Sequence, residues 1–387
     1  MEEQGFGLSS GYCVVCSAHG ALPAREAARH IFGPAGLSSL PLRNGGRLHL
    51  NATGQPEYAT PECDSVPDLV VYDKAGERLL EGLLERAGQR EYEEGAGCDI
   101  HVYKTVSGAG SSSFGCRESY LIGGRIEFGR LADLLIPFLV TRQLVCGAGA
   151  VVPTASGAMY CLSRPVVVDR TRPFINTRDE ARAAATGGRR LHVMISDPAM
   201  SETTTLLKAG ATALVLRMAE AGTVLPDLTL SQPVQAIGEI SQDVTGQRPV
   251  PLADGRQMGA LGIQRLYLAE AKNYAGQHGA GAIARRVLGL WERALDAIAA
   301  GDLDAVAGEI DWVMKSRLIE QHREASDLPL EAPHIAAADL AYHDINQSQG
   351  LYYQLARGNE VARTARDIDI FEAKTVPPPA GRYRQAG

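Results

Sequence analysis

The chain has 387 residues, more than one modest domain needs, so it can bury a large core in two or three modules or in one core with an appendage. Apolar residues make up 45% and charged residues 21% of the chain, which excludes a disordered, collagen-like or coiled-coil protein. The formal charge of −7 gives no basic excess for a phosphate backbone, so nucleic acid is not an expected partner.

Membrane and redox signals are weak. The longest apolar runs are shorter than the roughly 20 residues that cross a bilayer, and the acidic N-terminus differs from a signal peptide. We therefore expect no membrane contact and a cytoplasmic location.

Seven cysteines at irregular spacing favour reduced thiols. Cys13 and Cys16 form a C-x-x-C motif, but strand residues three apart face opposite sides, so buried thiols are favoured over a metal or redox site.

The first elements alternate irregularly between strands and helices. A strand is predicted over residues 11–18, a helix over 23–32 and a second strand over 46–51. Apolar residues at helical spacing predict one long helix, or two abutting helices, over 65–90, with Gly76 as the weak point. Further strands are predicted near 100–105, 119–122, 158–168 and 191–196, and further helices near 130–146 and 202–221.

The second half of the chain is predicted to be helical. Long amphipathic stretches leave little room for strands after about residue 255, and they cover 260–275, 282–299 and 303–321. Strands in front and helices behind, without regular βαβ alternation, favour an α+β fold over a doubly wound sheet. We expect one main domain over residues 1–375 and an irregular, proline-containing tail over 376–387.

The strand at 46–51 has a polar face. Because alternate strand residues share a side, Arg47, His49 and Asn51 are expected to line one face, opposite two leucines. A cation, an imidazole and an amide, followed by the carboxylate of Glu57 across a Gly/Pro turn, suit a nucleotide or metal site. A half-exposed strand of an ordinary antiparallel sheet has the same pattern, so both interpretations stay open.

Three further segments have patterns that phosphate sites use. Arg190 and His192 share a strand face ahead of Ser201, which either caps an ordinary helix or marks a helix start that receives an anion. Arg178 lies in an NTRDE run that is either a solvated turn or a phosphate contact. The glycine and serine run at 108–115 lacks the G-K-[ST] ending of a P-loop, and no dinucleotide-binding fingerprint occurs.

A series of motifs, in order along the chain to about residue 353, carries a family resemblance. They are RNGGRLHLNATGQPEYATPECDS, SFGCRESYLI, PFLVTRQLVCGAGAV, YCLSRP, RPFINTRDE, RRLHVMISDPAMSETTTLLK, DVTGQRPVPLADGRQ, EIDWVMK and DLAYHDINQSQGLYY. With these motifs the chain resembles the Pup-ligase and Pup deamidase/depupylase family, and the spacing is closer to the ligase. The resemblance implies a glutamine-synthetase-like carboxylate-amine ligase fold, α+β, with a mostly antiparallel sheet.

The resemblance also implies a reaction and its partners. The family uses ATP and Mg²⁺ to activate the C-terminal glutamate of Pup, which a substrate lysine then attacks to give an isopeptide bond. Pup or a Pup-like protein, and other pupylation enzymes, are the implied partners. The chain ends before the family's small C-terminal domain and its ATP-contacting tryptophan, so we expect that domain to be missing.

Some family positions match and others are replaced. Arg47 and Thr60 fall where the family contacts ATP, Glu57 falls on a magnesium ligand, and Arg178 is a further candidate for ATP. The remaining positions differ in chemistry. His49 occupies the position of the family's metal-contacting tyrosine, and Asn51 occupies that of its proton-accepting aspartate. Ser9 and Gly11 occupy the positions of two glutamates, one of which binds magnesium.

These replacements set the functional expectation. A lost carboxylate lowers magnesium affinity, and an amide cannot replace a base that is typically worth about 10²- to 10⁴-fold in rate. We expect a paralogue that binds nucleotide or Pup, with isopeptide formation weakened or lost. The alternatives are a working ATP-dependent ligase for a divergent substrate, or a decayed gene product. A working ligase would use His49, Glu57, Glu62 or Glu118 in place of the missing groups.

Overall fold

The computed structural model describes most of the chain. It covers residues 5–16, 20–21, 38–51, 54–93, 100–105, 115–123, 126–165, 173–178 and 188–379. The described strands are β1 (Phe6–Gly11), β2 (Cys13–Cys16), β3 (Gly20–Ala21), β4 (Ser39–Pro41), β5 (Arg47–Leu50), β6 (Pro56–Ala59), β7 (Ile100–Tyr103), β8 (Cys116–Gly123), β9 (Ala150–Thr154), β10 (Gly157–Cys161), β11 (Ile175–Arg178), β12 (Gly188–Ser196), β13 (Pro249–Pro251) and β14 (Gln257–Gly259).

The described helices lie between and after these strands. They are α1 (Val66–Glu93), α2 (Phe128–Thr141), α3 (Gln143–Cys146), α4 (Glu202–Glu220), α5 (Pro233–Ser241), α6 (Ala260–His278), α7 (Ala282–Ala300), a 3₁₀ turn (Leu303–Val306), α8 (Asp311–Ser326), α9 (Pro333–Ala341), α10 (Leu351–Arg357) and α11 (Asp367–Glu372). In the described part of the chain, every strand precedes residue 260 and every later element is helical.

A seven-stranded antiparallel sheet organises the molecule, in the order β11-β12-β8-β1-β6-β5-β4. Its strands alternate apolar and polar residues, so the two faces differ. Phe6 and Leu8 of β1 and Tyr120 of β8 point into the core, whereas Gly7 and Ser9 are only partly buried. The α+β fold with a mostly antiparallel sheet is confirmed.

The apolar face of the sheet packs against helices. β1 and β8 share a core with α1, α2 and α4, and α4 is buried over nearly its whole length. The hydroxyl of Ser201 caps α4 by accepting a bond from the N–H of Thr204 at 3.2 Å. Asp311 accepts bonds from the N–H of Ser201 at 3.0 and 3.1 Å, so a carboxylate of the chain itself fills the predicted anion position at this helix start.

Buried ion pairs join β7 to the long helix. The ammonium of Lys104, fully buried after β7, lies 2.6 Å from Asp73 and 2.8 Å from Glu77 on α1. Lys104 also donates to the carbonyl of Ala199 at 2.9 Å, and Lys74 contacts Glu77 at 3.0 Å. Because charges without partners are costly in a core, this cluster holds α1 against β7 and against the loop that precedes α4.

Several predicted elements differ in extent from the structure. Two strands, β1 and β2, cover 6–16, so the strand predicted at 11–18 begins too late. The predicted helix at 130–146 breaks at Arg142 into α2 and α3, and the one at 303–321 divides into a 3₁₀ turn and α8. The strand predicted at 158–168 ends at Cys161. The predicted helix at 23–32 and most of the tail lie outside the described residues.

The sequence analysis also missed elements that depend on pairing. β4, β6, β9 and β11 are short, and each is held by a neighbouring strand rather than by a strong pattern of its own. Asn176 and Arg178 lie in β11, so this part of the NTRDE run is a strand and not the solvated turn that was one of its two interpretations. No described helix is both long and apolar enough to span a membrane.

Candidate active site

The half-exposed face of the sheet brings together most of the predicted site residues. The register places Ser9 of β1 opposite Arg117 of β8 and Ala59 of β6. One row further along, His49 of β5 lies opposite Glu57 of β6. Residues opposite each other in antiparallel strands share a face, so these side chains converge on one patch.

Glu57 lies at the centre of this patch. Its side chain is buried, and one carboxylate oxygen accepts hydrogen bonds from the hydroxyl of Ser9 and from the guanidinium of Arg117. The second oxygen lies 3.9 Å from Nε2 of His49. Glu57 is therefore neutralised by a guanidinium of the same chain.

His49 has an environment that favours its neutral form. Burial lowers the pKa of the imidazole, the Glu57 carboxylate raises it, and the positive charges of Arg117 and Arg47 lower it further. The net direction is downward, so His49 is neutral near pH 7. Its Nδ1 is buried without a hydrogen-bond partner among the described residues.

Asn51, in the turn before β6, and Thr60, directly after β6, stabilise the backbone through side-chain hydrogen bonds. The amide oxygen of Asn51 accepts a bond from the N–H of Gln55 at 3.0 Å, which closes the turn between β5 and β6. The hydroxyl of Thr60 accepts a bond from the N–H of Leu8 at 3.1 Å. Both side chains hold the backbone of the site.

Arg178 lies away from this patch. It occupies the edge strand β11, opposite Arg190 of β12, and three strand spacings, about 14 Å, separate β11 from β1. Arg190 donates to the hydroxyl of Ser119 at 3.1 Å and to Glu62 at 2.9 Å. The register thus places Arg178 opposite Arg190, at the edge of the sheet, and not in the strands that carry Ser9 and Glu57.

Arg117 is the site residue that the sequence analysis missed. The strand there was predicted to begin at residue 119, which left Arg117 outside it, whereas β8 begins at Cys116. The available signal was the two-residue alternation of this stretch, in which one side carries Arg117, Ser119 and Leu121 and the other carries Cys116, Glu118 and Tyr120.

Glu118 lies on the opposite face of the sheet from Arg117. It is buried and bonded to the guanidinium of Arg142 and to the hydroxyl of Tyr120. Glu118 therefore cannot replace a missing carboxylate at the patch, which corrects one part of the divergent-ligase alternative. Glu62, paired with Arg190, is also already neutralised.

The described residues do not fit a magnesium ion. Magnesium binds oxygen ligands and favours carboxylates. Glu57 is the only carboxylate that the described strands of the sheet place on this face, and a guanidinium is bonded to it. No group of three histidine, cysteine, aspartate or glutamate side chains suited to a metal occurs among the described residues.

Comparison with known proteins identifies the family. The family model described as Pup-ligase protein matches residues 16–387. A Pup--protein ligase of Geodermatophilus obscurus is 49% identical over 402 aligned positions, which cover 100% of this chain and 89% of that protein. This chain belongs to the Pup-ligase family.

Solved structures agree with this membership. The complex of Pup with its ligase PafA superposes with a TM-score of 0.93 at 35% identity, covering 99% of this chain and 82% of that one. The Pup ligase PafA with ADP gives a TM-score of 0.85 at 36% identity over 93% and 81% of the two chains. A glutamate–cysteine ligase from Francisella tularensis, at 0.50 and 11% identity over 97% and 98%, shows the fold alone.

Proposed function

We propose that this Pup-ligase family member is a binding paralogue that recognises Pup and nucleotide while forming little or no isopeptide bond. The observation that carries the proposal is the pairing of Glu57 with Arg117 and Ser9. One oxygen of this carboxylate is already bonded and the Arg117 guanidinium offsets its charge, which weakens the site for a divalent cation, and the neighbouring position offers a hydroxyl instead of a second carboxylate.

The proton-accepting step is weakened for a separate reason. Asn51 holds the turn through its amide oxygen, and an amide has no usable basicity near neutral pH. His49 is neutral there, but its Nε2 faces Glu57, and Asn51 lies beyond it at the end of β5. Loss of both the metal ligand and the base is expected to reduce ligation by more than either change alone.

The binding role is supported by the relatives. One solved relative is a complex with Pup and another is a complex with ADP, and both share this fold at more than a third identity. We infer a cytoplasmic location, where nucleotide and Pup-type proteins meet. The five cysteines whose side chains the structure describes are all buried and form no disulfide, which suits a reducing compartment.

The proposal is tested by incubating the purified chain with Pup, ATP, Mg²⁺ and a lysine-containing acceptor protein. We expect Pup to bind in fluorescence anisotropy and no adduct to form by mass spectrometry, with the Geodermatophilus obscurus relative as positive control. Adduct formation at the rate of that relative, or failure to bind Pup, would refute the proposal.

A restored variant tests the cause. Ser9→Glu with Asn51→Asp returns two carboxylates, and the aspartate can still accept the bond from Gln55 that closes the turn. We expect this double variant to gain measurable adduct formation over the native chain. The matched control is Ser9→Gln with Asn51 unchanged, which adds similar volume without charge and should gain nothing.

A further inference from the structure

The sheet face around β1 has an open floor, and two arginines lie on the β8 side of it. β1 presents Gly7, Ser9 and Gly11 on this face, so its centre carries little side-chain bulk. A Cβ at Gly7 would meet only the Ser119 side chain, at 3.5 Å. Such a floor lets a ligand lie close to the backbone.

Arg117 lies on one side of this floor with donors to spare. Its guanidinium has five N–H donors, and the described contact to Glu57 uses one terminal nitrogen. The side chain is 36% exposed, while its Glu57 partner is 7% exposed. Arg117 can therefore keep its pair with Glu57 and still offer a planar, charged fork to the open side.

Arg190 lies on β12, beyond β8 and on the same side of the floor as Arg117, and it is held in place. Its two terminal nitrogens bond Ser119 and Glu62, and the side chain is 12% exposed. Arg190 lies opposite Leu121, four residues along β8 from Arg117, which is about 13 Å of backbone at the usual strand rise, but its Nη1 reaches back to Ser119, two residues from Arg117. Two guanidiniums placed along one strand can contact successive groups of an extended anion.

The charges on this face exclude a divalent cation more strongly than they exclude an anion. A metal ion at Glu57 would lie within a few ångströms of the Arg117 guanidinium, where two positive charges repel. An approaching phosphate meets instead the remaining N–H donors of the Arg117 guanidinium, a group that binds phosphate oxygens directly.

We propose that this face binds the phosphate chain of a nucleotide without a divalent cation, because Arg117 and Arg190 supply the positive charge. This proposal specifies how a nucleotide binds to the site described under the proposed function, and so it rests on that function. The two proposals can fail separately, because a chain can bind Pup and form no adduct whether or not nucleotide binding needs a metal.

Calorimetric titration with ADP tests this proposal, once in excess EDTA and once in millimolar Mg²⁺. We expect the affinity in EDTA to equal or exceed that in Mg²⁺. Inorganic triphosphate is the second probe, and its binding in EDTA would show that the phosphate chain is the recognised part. Binding of ADP only with Mg²⁺, or no binding of ADP in either condition, would overturn the proposal.

Variants of Arg117 and of Glu57, which form an ion pair, are expected to change ADP binding in opposite directions. Arg117→Gln should weaken ADP binding in EDTA at least tenfold, and Arg117→Lys, which keeps Glu57 paired but loses the fork, should give an intermediate loss. Glu57→Gln removes a negative charge and should leave ADP binding equal or tighter. A metal-bridged nucleotide would instead be lost in Glu57→Gln, which would contradict the proposal.

A surface arginine provides the matched control. Arg265 lies on α6 in an exposed pair with Asp296, on a helix that is not part of the sheet. Arg265→Gln makes the same change in charge and volume as Arg117→Gln, and it should leave the ADP affinity unchanged. Circular dichroism of each variant separates a lost contact from a lost fold, and Arg117→Lys serves if Arg117→Gln does not fold.

Discussion

The contact of Ser9 with Glu57 shows how one side chain limits the role of its neighbour. The Ser9 hydroxyl donates to Glu57, so this carboxylate is an acceptor within the chain. The family resemblance located Ser9, His49 and Asn51 by position. It did not supply Arg117, because only the register of β8 against β1 shows that Arg117 reaches Glu57.

His343 is a residue whose burial leads to a pH prediction. Its Nε2 lies 2.7 Å from Nζ of Lys315, its Nδ1 has no hydrogen-bond partner among the described residues, and Asp339 lies on the far side of Lys315. Burial and the positive charges of Lys315, Arg164 and Lys104 hold the pKa of this imidazole well below its usual value.

The sign of the effect follows from proton uptake. The unfolded chain binds a proton at His343 near pH 6.5 and the folded chain does not, so the free energy of unfolding falls as the pH drops below that value. Between pH 7.5 and 5.5 the loss should be about 1.4 kcal/mol for this one group.

Urea unfolding of the native chain and of His343→Gln at both pH values measures this loss. Glutamine can accept the bond from Lys315 but does not titrate. The native chain should lose about 1.4 kcal/mol more than the variant over this range. Equal losses in the two proteins would show that His343 does not remain neutral in the fold.

Among the elements, β1 illustrates why strand prediction failed at the start of the chain. The sequence FGLSSG is rich in glycine and serine, which have weak strand propensity. It is a central strand because β6 and β8 pair with it on both sides. By contrast, α1 was predicted closely, since its apolar residues repeat at helical spacing over many turns.

Gly76 explains the apparent weak point of α1. A Cβ at this position would lie 2.2 Å from the ring of Tyr58, so the glycine makes room for an aromatic side chain of β6. Tyr58 is fully buried and donates to the carbonyl of Tyr72 at 3.1 Å. Contact between α1 and the sheet thus overrides helix propensity at this residue.

A pair of glycines on α1 tests this explanation. Gly76→Ala should lower the free energy of unfolding by about 1–3 kcal/mol because the added methyl group overpacks against Tyr58. Gly82→Ala on the same helix meets no atom within 4 Å and should raise stability by about 0.5–1 kcal/mol through helix propensity alone. Urea unfolding measures both, and a stabilising Gly76→Ala would refute the packing argument.

At the scale of the whole molecule, the fold and the chemistry of its open face depend on different parts of the sequence. The core face of the sheet packs on α1, α2 and α4, and Ser9, His49 and Asn51 are not part of that core. Family membership and the α+β fold could therefore be predicted from ordered motifs, without reference to these three positions of the open face.

The arrangement of charges on the open face could not be predicted in the same way. The contact of Arg117 with Glu57 joins β8 to β6, and the contact of Arg190 with Glu62 joins β12 to the segment that follows β6. These contacts depend on the strand order, which a single sequence with irregular alternation does not specify. The placement of Glu118 on the core side, beside Arg142, depends on the same register.

The central claim is that the Arg117 guanidinium occupies the place beside Glu57 where a divalent cation would otherwise bind. Titration of the unmodified chain with Mn²⁺, without nucleotide and followed by electron paramagnetic resonance, tests it most directly. The account predicts that the signal of free Mn²⁺ rises with the total added, for the native chain and for Glu57→Gln alike. An equivalent of Mn²⁺ that the native chain binds and Glu57→Gln releases would contradict the account.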